Sequence, residues 1–340
     1  MAVKDLKIGI CEAGVMHSDP GEFDLDTRFA MVKDAGVFDY LDKTPPSSEY
    51  HLYAAASQKH GLPMLSGGYY YFLGRDEPLL EWHLRMGAQF GQVAHNVQIF
   101  TTDIERKPVT NEQVAELYLR MAEVGARTGV IPCFEVHVNM WSEHYGRVEE
   151  VARLVEARGV KFNMTLDHSH VIFKIDNPEQ QKVQGMDRDI AAGALELDPF
   201  KPNDVCSLWI DNGYVRHAHA RAAVPNGQPN LWQNNPNGTP GRGIQYPFIR
   251  PKPGEWHSEW EEARLEPWKE VVRRLLRHHA TDPSSQLATF STEFIPFPDY
   301  GGGAKYSIFE NSVACAAWIR EEWAKAQAGA PAAAASNVTY

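Results

Sequence analysis

The chain has no surplus of positive charge: 33 lysines and arginines stand against 44 aspartates and glutamates, a formal net charge of −11 over 340 residues. A protein that neutralises phosphates needs the opposite balance, so general binding to nucleic acid or to an anionic membrane is disfavoured. Cysteine is scarce. Cys11, Cys133, Cys206 and Cys315 lie far apart with no C-x-x-C pair, which argues against a zinc ribbon or a dense disulfide framework and reads as buried thiols in a reducing compartment. No apolar run is long enough to span a bilayer, and no charged-then-apolar leader precedes the strand-like Leu6-Lys7-Ile8-Gly9-Ile10, so a cytoplasmic location is expected. A G-x-G-x-x-G turn is also missing. Gly9 and Gly14 do not form one, which counts against a doubly wound dinucleotide-binding sheet.

What is present is enough apolar residue, 43% of the chain, to bury a large core, and barrels of this length fold as one domain. Short β-rich runs alternate with longer helical stretches, the order that selects an α/β fold with a parallel sheet. Eight strands are predicted, over residues 6–11, 37–42, 63–67, 96–101, 130–137, 161–167, 215–221 and 288–294, each followed by helix-like sequence. The clearest helix is predicted over 110–127, where Thr110 and Gln113 suggest a capping box, Val114, Leu117, Met121 and Val124 form one apolar stripe, and Gly129 ends it. Similar helices are expected over 147–157, 262–279 and 308–325. The fold class expected is a (β/α)8 barrel over residues 1–325, with an Ala-rich tail over 326–340.

Two connections break the short-loop rule, 171–203 after the sixth strand and 222–261 after the seventh, and loops of that length are usually functional or disordered. In a barrel both rise from the C-terminal face, where active sites are built. The second contains Trp232, Tyr246, Phe248, Trp256 and Trp260, which suit either a loop anchoring itself with aromatics or a substrate lid or partner surface.

Four late strands end in ionisable residues: Cys-Phe-Glu-Val-His at 133–137, Thr-Leu-Asp-His-Ser-His at 165–170, His-Ala-His-Ala-Arg at 217–221 and Ser-Thr-Glu-Phe at 291–294. The period of two along a strand puts Glu135 with His137, and His217 with His219 and Arg221, on common faces. In a closed barrel that face is the interior. Buried carboxylates cost several kcal/mol each unless paired or bound to a cation, so Glu135, Asp167 and Glu293 converging with His219 call for a counter-charge. A divalent metal supplies one, and three carboxylates with one imidazole suit Mn2+ first, with Mg2+ or Co2+ as alternatives, better than a structural zinc. A lone strand-end Glu or His is more often a capping or salt-bridged group than a ligand; four on four consecutive strands are harder to dismiss. His217 competes with His219 for the ligand position.

This pattern resembles the xylose isomerase-like superfamily of (β/α)8 barrels, over nearly the whole chain from Lys7-Ile8-Gly9 to the eighth helix. The resemblance implies metal binding by Glu135, Asp167, His219 and Glu293, and a substrate-facing His170 in the motif Asp167-x-x-His170. The second and third strand ends, Leu41-Asp42-Lys43 and Gly67-Gly68-Tyr69, lack the histidines of trinuclear endonuclease IV-like members. Trp141 and Pro225 stand where ketose 3-epimerases carry an acid and an arginine. With the loop His137-Val138-Asn139-Met140-Trp141-Ser142-Glu143-His144 and the long inserts, the chain is similar to the large catalytic subunit of bacterial C-glycoside deglycosidases. That likeness implies a metal-dependent lyase splitting the C–C bond of a 3-keto C-glycoside, with a smaller β-sandwich subunit as partner and homo-oligomerisation.

Reactions of this class share polarisation of a carbonyl or hydroxyl, removal of the adjacent proton and an enediolate, after which reprotonation gives epimerisation and loss of a substituent gives elimination. His144 is the expected base, because a neutral imidazole on the active-face loop titrates near working pH. Glu135, Glu293 and His170 are expected to share in catalysis, and His137, His170, Arg221, Trp141 and His17 to bind the sugar. A sugar isomerase or epimerase on the same metal site is the alternative enzyme, and a non-catalytic sugar-binding barrel the alternative to an enzyme.

Overall fold

The computed structural model describes residues 4–16 and 21–329. Eight parallel strands close into a barrel in the order β1-β10-β7-β6-β5-β4-β3-β2: β1 (Lys7–Cys11), β2 (Tyr40–Asp42), β3 (Ser66–Tyr71), β4 (Ala94–Ile99), β5 (Ile131–Glu135), β6 (Met164–Asp167), β7 (Val215–Ala220) and β10 (Thr289–Thr292). Two further strands, β8 (Asn230–Asn234) and β9 (Pro240–Gly241), form an antiparallel ribbon in the connection after β7. Each barrel strand leads to a helix of the outer layer, so the expected (β/α)8 barrel is the fold found. No helix among the described residues is long and apolar enough to cross a membrane.

The helix Asn111–Thr128 shows how local chemistry sets an element. Thr110 caps it, the reciprocal Gln113 bond completes the capping box, and Gly129 ends it at φ 82°. Val114, Leu117, Met121 and Val124 form the buried stripe. The last helix, Ile308–Gln327, runs two residues beyond the tail boundary expected at 326; residues 330–340 of that tail lie outside the described residues.

Strand edges differ from the sequence reading where glycine or a side chain intervenes. The third strand, expected to stop at Gly67, runs on to Tyr71. Glycine here serves close approach: a Cβ on Gly67 would lie 2.5 Å from Thr44 Oγ1, and one on Gly68 2.8 Å from Asn96 Cβ. The fifth strand, expected to reach His137, ends at Glu135, because the His137 N–H turns to Ser142 Oγ at 3.2 Å.

The connection after β6, expected as a long loop, contains the short helices Ser169–Ile172, Pro178–Lys182 and Met186–Ala191. The one after β7 is partly core. Ala222, Ile244, Gln245 and Tyr246 are at most 3% exposed, and Gln245 accepts from Ile295 N at 2.8 Å and donates to Tyr306 Oη at 2.9 Å. Its aromatics serve anchorage: Phe248 packs on Trp268 and Trp256 on Tyr306. Excising 222–261 is therefore expected to collapse the melting temperature, as the anchoring reading of this segment implies and the lid reading does not. Tyr246→Ala alone should cost about 3–5 kcal/mol by denaturant titration. Trimming only the exposed turn 236–239 should shift the melting point by no more than a few degrees.

Candidate metal centre

Register brings the ionisable strand ends together. Asp167 lies opposite His219 across β6 and β7, Ser291 opposite His219 across β10, and Glu293 N donates to Ala220 O at 3.1 Å just beyond the ladder. Donor atoms of Glu135, Asp167, His219 and Glu293 all lie within 4.8 Å of one another. A hard divalent ion with ligands at roughly 2.1 Å places opposite donors about 4.2 Å apart, so a small contraction would close this set around one ion. Three oxygens and one nitrogen suit such an ion chemically.

Each ligand candidate is held from behind. Glu135 Oε2 accepts from Asn96 Nδ2 at 2.7 Å and Gln98 Nε2 at 2.5 Å, while Oε1 lies 3.0 Å from His219 Nδ1. Asp167 Oδ1 accepts from Ser169 N at 3.1 Å and Ser169 Oγ at 2.6 Å, and Oδ2 from Arg221 Nη1 at 2.7 Å. His219 Nδ1 is also 3.1 Å from Glu293 Oε2. Arg221 Nη2 donates to that same oxygen, and its Nε to Glu293 O at 3.1 Å.

The electrostatics follow from enclosure and pairing. Burial works to raise the Glu135 carboxyl, but the His219 hydrogen bond and charge outweigh it and hold the group at about 2. For Asp167 burial is again outweighed, here by Arg221 and then His170, and the carboxyl stays well below its usual range. Burial would lower His219, yet Glu293 and Glu135 raise it well above the ordinary histidine value. His170 is pushed the other way, to about 3, by burial and then by His137, so its ring is neutral at working pH.

A second group, Asp42, His217 and His219, sits beside the first and shares His219. His217 Nδ1 is 2.8 Å from Thr289 Oγ1 and its Nε2 is 3.2 Å from Asp42 Oδ2, so His217 faces β2 and β10 while His219 Nδ1 faces the carboxylates.

The other sequence-derived site residues fall into distinct places. His170 and His137 adjoin the quartet, with rings 4.1 Å apart and His170 Nε2 3.2 Å from Asp167 Oδ2. His170 is 0% exposed: the expected substrate-facing histidine is enclosed by Asp167, His137, Arg221 and Tyr300. Arg221, expected on substrate, is instead paired with two of the candidate ligand carboxylates, Asp167 and Glu293. Trp141, also expected on substrate, is 1% exposed and belongs to the core, with Arg147 over its ring at 5.9 Å. Its side chain packs toward the helix layer, where Arg147 binds Asn111 and Val109. His144, the expected base, is engaged elsewhere: its Nε2 pairs with Asp189 Oδ2 at 3.1 Å, and it does not line the cavity over the quartet. His17 lies outside the described residues.

Sequence reasoning missed Asn96, Gln98, Tyr300 and the cavity wall. Asn96 and Gln98 carried a legible signal, two amides spaced by two on β4, whereas Tyr300 lies in a loop and carried none. The cavity, about 740 Å3, is lined by His219, Glu293 and Asp42 together with Tyr69, Tyr70, Leu79, Trp82 and Phe297. Tyr69 and Tyr70 stack at 4.4 Å, and Tyr70 and Phe297 are 48% and 51% exposed.

No protein-family model matches the chain, and no curated protein matches it by sequence. Solved structures do match in fold. The barrel is similar to D-allulose 3-epimerase from Methylomonas sp., at TM-score 0.55 and 11% identity over 95% of this chain and 100% of that one. A xylose isomerase-like TIM barrel protein from Mycobacterium smegmatis in complex with magnesium matches at TM-score 0.54 and 11% identity, over 94% and 97% of the two chains. The 3-keto-D-glucoside 4-epimerase from E. coli matches at TM-score 0.50 and 12% identity, over 93% and 100%. At such identities the likeness establishes the (β/α)8 barrel fold alone.

Proposed function

We propose that this barrel is a metal-dependent enzyme acting on a keto-sugar that carries an apolar substituent, and that it cleaves 3-keto C-glycosides by proton abstraction and elimination. The observation that carries this reading is the cavity itself: polar candidate ligands line it together with partly exposed aromatics, more apolar surface than a bare sugar needs. The 3-keto-D-glucoside named for one fold neighbour is a sugar of the required kind.

Glu135, Asp167, His219 and Glu293 would hold the ion, with Mn2+ the first expectation. Bound there, it would supply Lewis acidity toward the carbonyl and adjacent hydroxyl oxygens. Glu293 is the base, because among the three carboxylates it alone lines the cavity, and Oε2 is held by Arg221 and His219 while Oε1 takes no part in those bonds. It takes the proton on the carbon next to the carbonyl; a double bond forms toward the anomeric carbon. The C–C bond to the substituent breaks with its electron pair, and the departing carbon collects a proton. Tyr69, Tyr70 and Trp82 bind the substituent. Epimerisation is the alternative outcome of the same proton abstraction. A smaller partner subunit is part of the proposal.

The test is to incubate the metal-loaded protein, with and without a co-expressed neighbour subunit, with an aromatic 3-keto C-glycoside and with free ketoses. Release of free aglycone is expected. Trp82→Ala should raise KM for the glycoside about tenfold, the scale of one aromatic contact, and leave KM for a free ketose unchanged. An epimerised sugar without aglycone would replace elimination by epimerisation, and tight binding without turnover would favour the sugar-binding alternative.

A further inference from the structure

Arg221 is 1% exposed and makes its bonds to two of the candidate ligands and to their immediate neighbours. Its Nη1 donates to Asp167 Oδ2 at 2.7 Å and Ser169 Oγ at 3.0 Å, its Nη2 to Glu293 Oε2, and the Tyr300 ring lies 4.3 Å from the guanidinium carbon. The planar fork thus bridges two carboxylates that come from different strands. We propose that Arg221 is a resident counter-cation of the metal centre: by neutralising part of the charge of Asp167 and Glu293 it limits how tightly a divalent ion binds.

The physical basis is charge balance in an enclosed volume. Glu135, Asp167 and Glu293 bring three formal negative charges beside one imidazole, and such a group needs compensation whenever no ion supplies it. Arg221 supplies one positive charge permanently, because a guanidinium does not lose its proton in a protein. Each carboxylate oxygen has two lone pairs, so an oxygen that accepts from Arg221 can still ligate. The ion nevertheless meets ligands whose negative charge is partly neutralised and a fixed positive charge behind them, which lowers affinity and leaves more charge on the ion to polarise an oxygen. An outer partner that merely orients a ligand behaves oppositely: its removal weakens metal binding, typically by roughly 10–100-fold. The sign of the change in affinity therefore separates the two roles.

This inference rests on the quartet being a metal site, and its test separates the two failures. Chelator-treated wild type, Arg221→Met and Arg221→Lys are titrated with Mn2+ by calorimetry, and their melting temperatures are compared with and without saturating Mn2+. Wild type is expected to bind one ion; absence of binding would remove the metal site itself. Given binding, Arg221→Met should melt lower than wild type without metal, bind Mn2+ at least tenfold more tightly, and gain more melting temperature from the ion than wild type does. Arg221→Lys keeps the charge and should bind within about threefold of wild type. Should Arg221→Met fold only with Mn2+ present, the proposal stands; should it fold under neither condition, the Lys variant decides. Unchanged or weaker binding by Arg221→Met, or a change of tenfold or more in Arg221→Lys, would overturn it.

Discussion

Glu135→Gln and Glu293→Gln are each expected to abolish most bound metal and most turnover while leaving the barrel folded. The amide keeps the shape of the side chain and one acceptor oxygen but removes an anionic ligand, and it sets an N–H2 against neighbours arranged for a carboxylate. For Glu135 those neighbours are the two donors Asn96 Nδ2 and Gln98 Nε2. The loss in metal affinity should exceed the roughly 10–100-fold typical for removing an outer partner. Folding should survive, because the core lies between strands and helices, in residues such as Phe29, Leu84, Met121, Trp209 and Trp268, all at most 1% exposed. Metal content by elemental analysis, together with circular dichroism, checks both halves. Full occupancy and normal turnover in both variants would sink the quartet.

Lys174→Met should be strongly destabilising although it lies away from the metal centre. Lys174 Nζ lies 2.9 Å from Glu143 Oε1 with side chains 0% and 2% exposed, and Arg242 reaches the same oxygen at 3.2 Å. Burial works against both charges: it lowers Lys174, and Glu143 stays below its usual value only because Lys174 and Arg242 outweigh that burial. Removing one partner of a buried pair leaves an uncompensated charge and costs about 3–5 kcal/mol. Arg242 remains as a partial counter-charge, so the lower end is expected. Adding Glu143→Gln removes the stranded charge, and the double variant should recover part of the loss in denaturant titration. A single-variant loss under about 1 kcal/mol would mean that water or Arg242 compensates Glu143 fully. The pair also joins three active-face connections, the turn after β5, the segment after β6 and the insert carrying Arg242, so loosening it should disturb the site as well as the fold.

Elements whose cause is local were legible in the chain. The capped helix at 111–128 needed only Thr110, Gln113, an apolar stripe and Gly129. The alternation of eight β-rich runs with helical stretches led to the barrel, and the period of two placed His217, His219 and Arg221 on one face. The first misreadings came where a residue had two meanings. Gly67 and Gly68 read as a strand end but allow strands to press together, which depends on Thr44 and Asn96 from other segments.

The site divides along the same line. That Glu135, Asp167, His219 and Glu293 stand at strand ends follows from sequence, because side-chain direction in a strand is a local property. Their partners do not follow from it. Arg221 meets Asp167 and Glu293 only after β6, β7 and β10 have closed in register, and closure is set by the whole circuit of strands. His144 and Trp141 lie within a few residues of His137, yet one turns to Asp189 and the other into the core, since a loop side chain takes its direction from the elements that pack on it. By itself the sequence determined the fold class and the four ionisable strand-end residues Glu135, Asp167, His219 and Glu293. The tertiary structure alone decided which charges neutralise one another, which histidines are enclosed and which aromatics face the cavity, because those outcomes are contacts between segments far apart in the chain and are chosen by packing, not by any neighbour's identity.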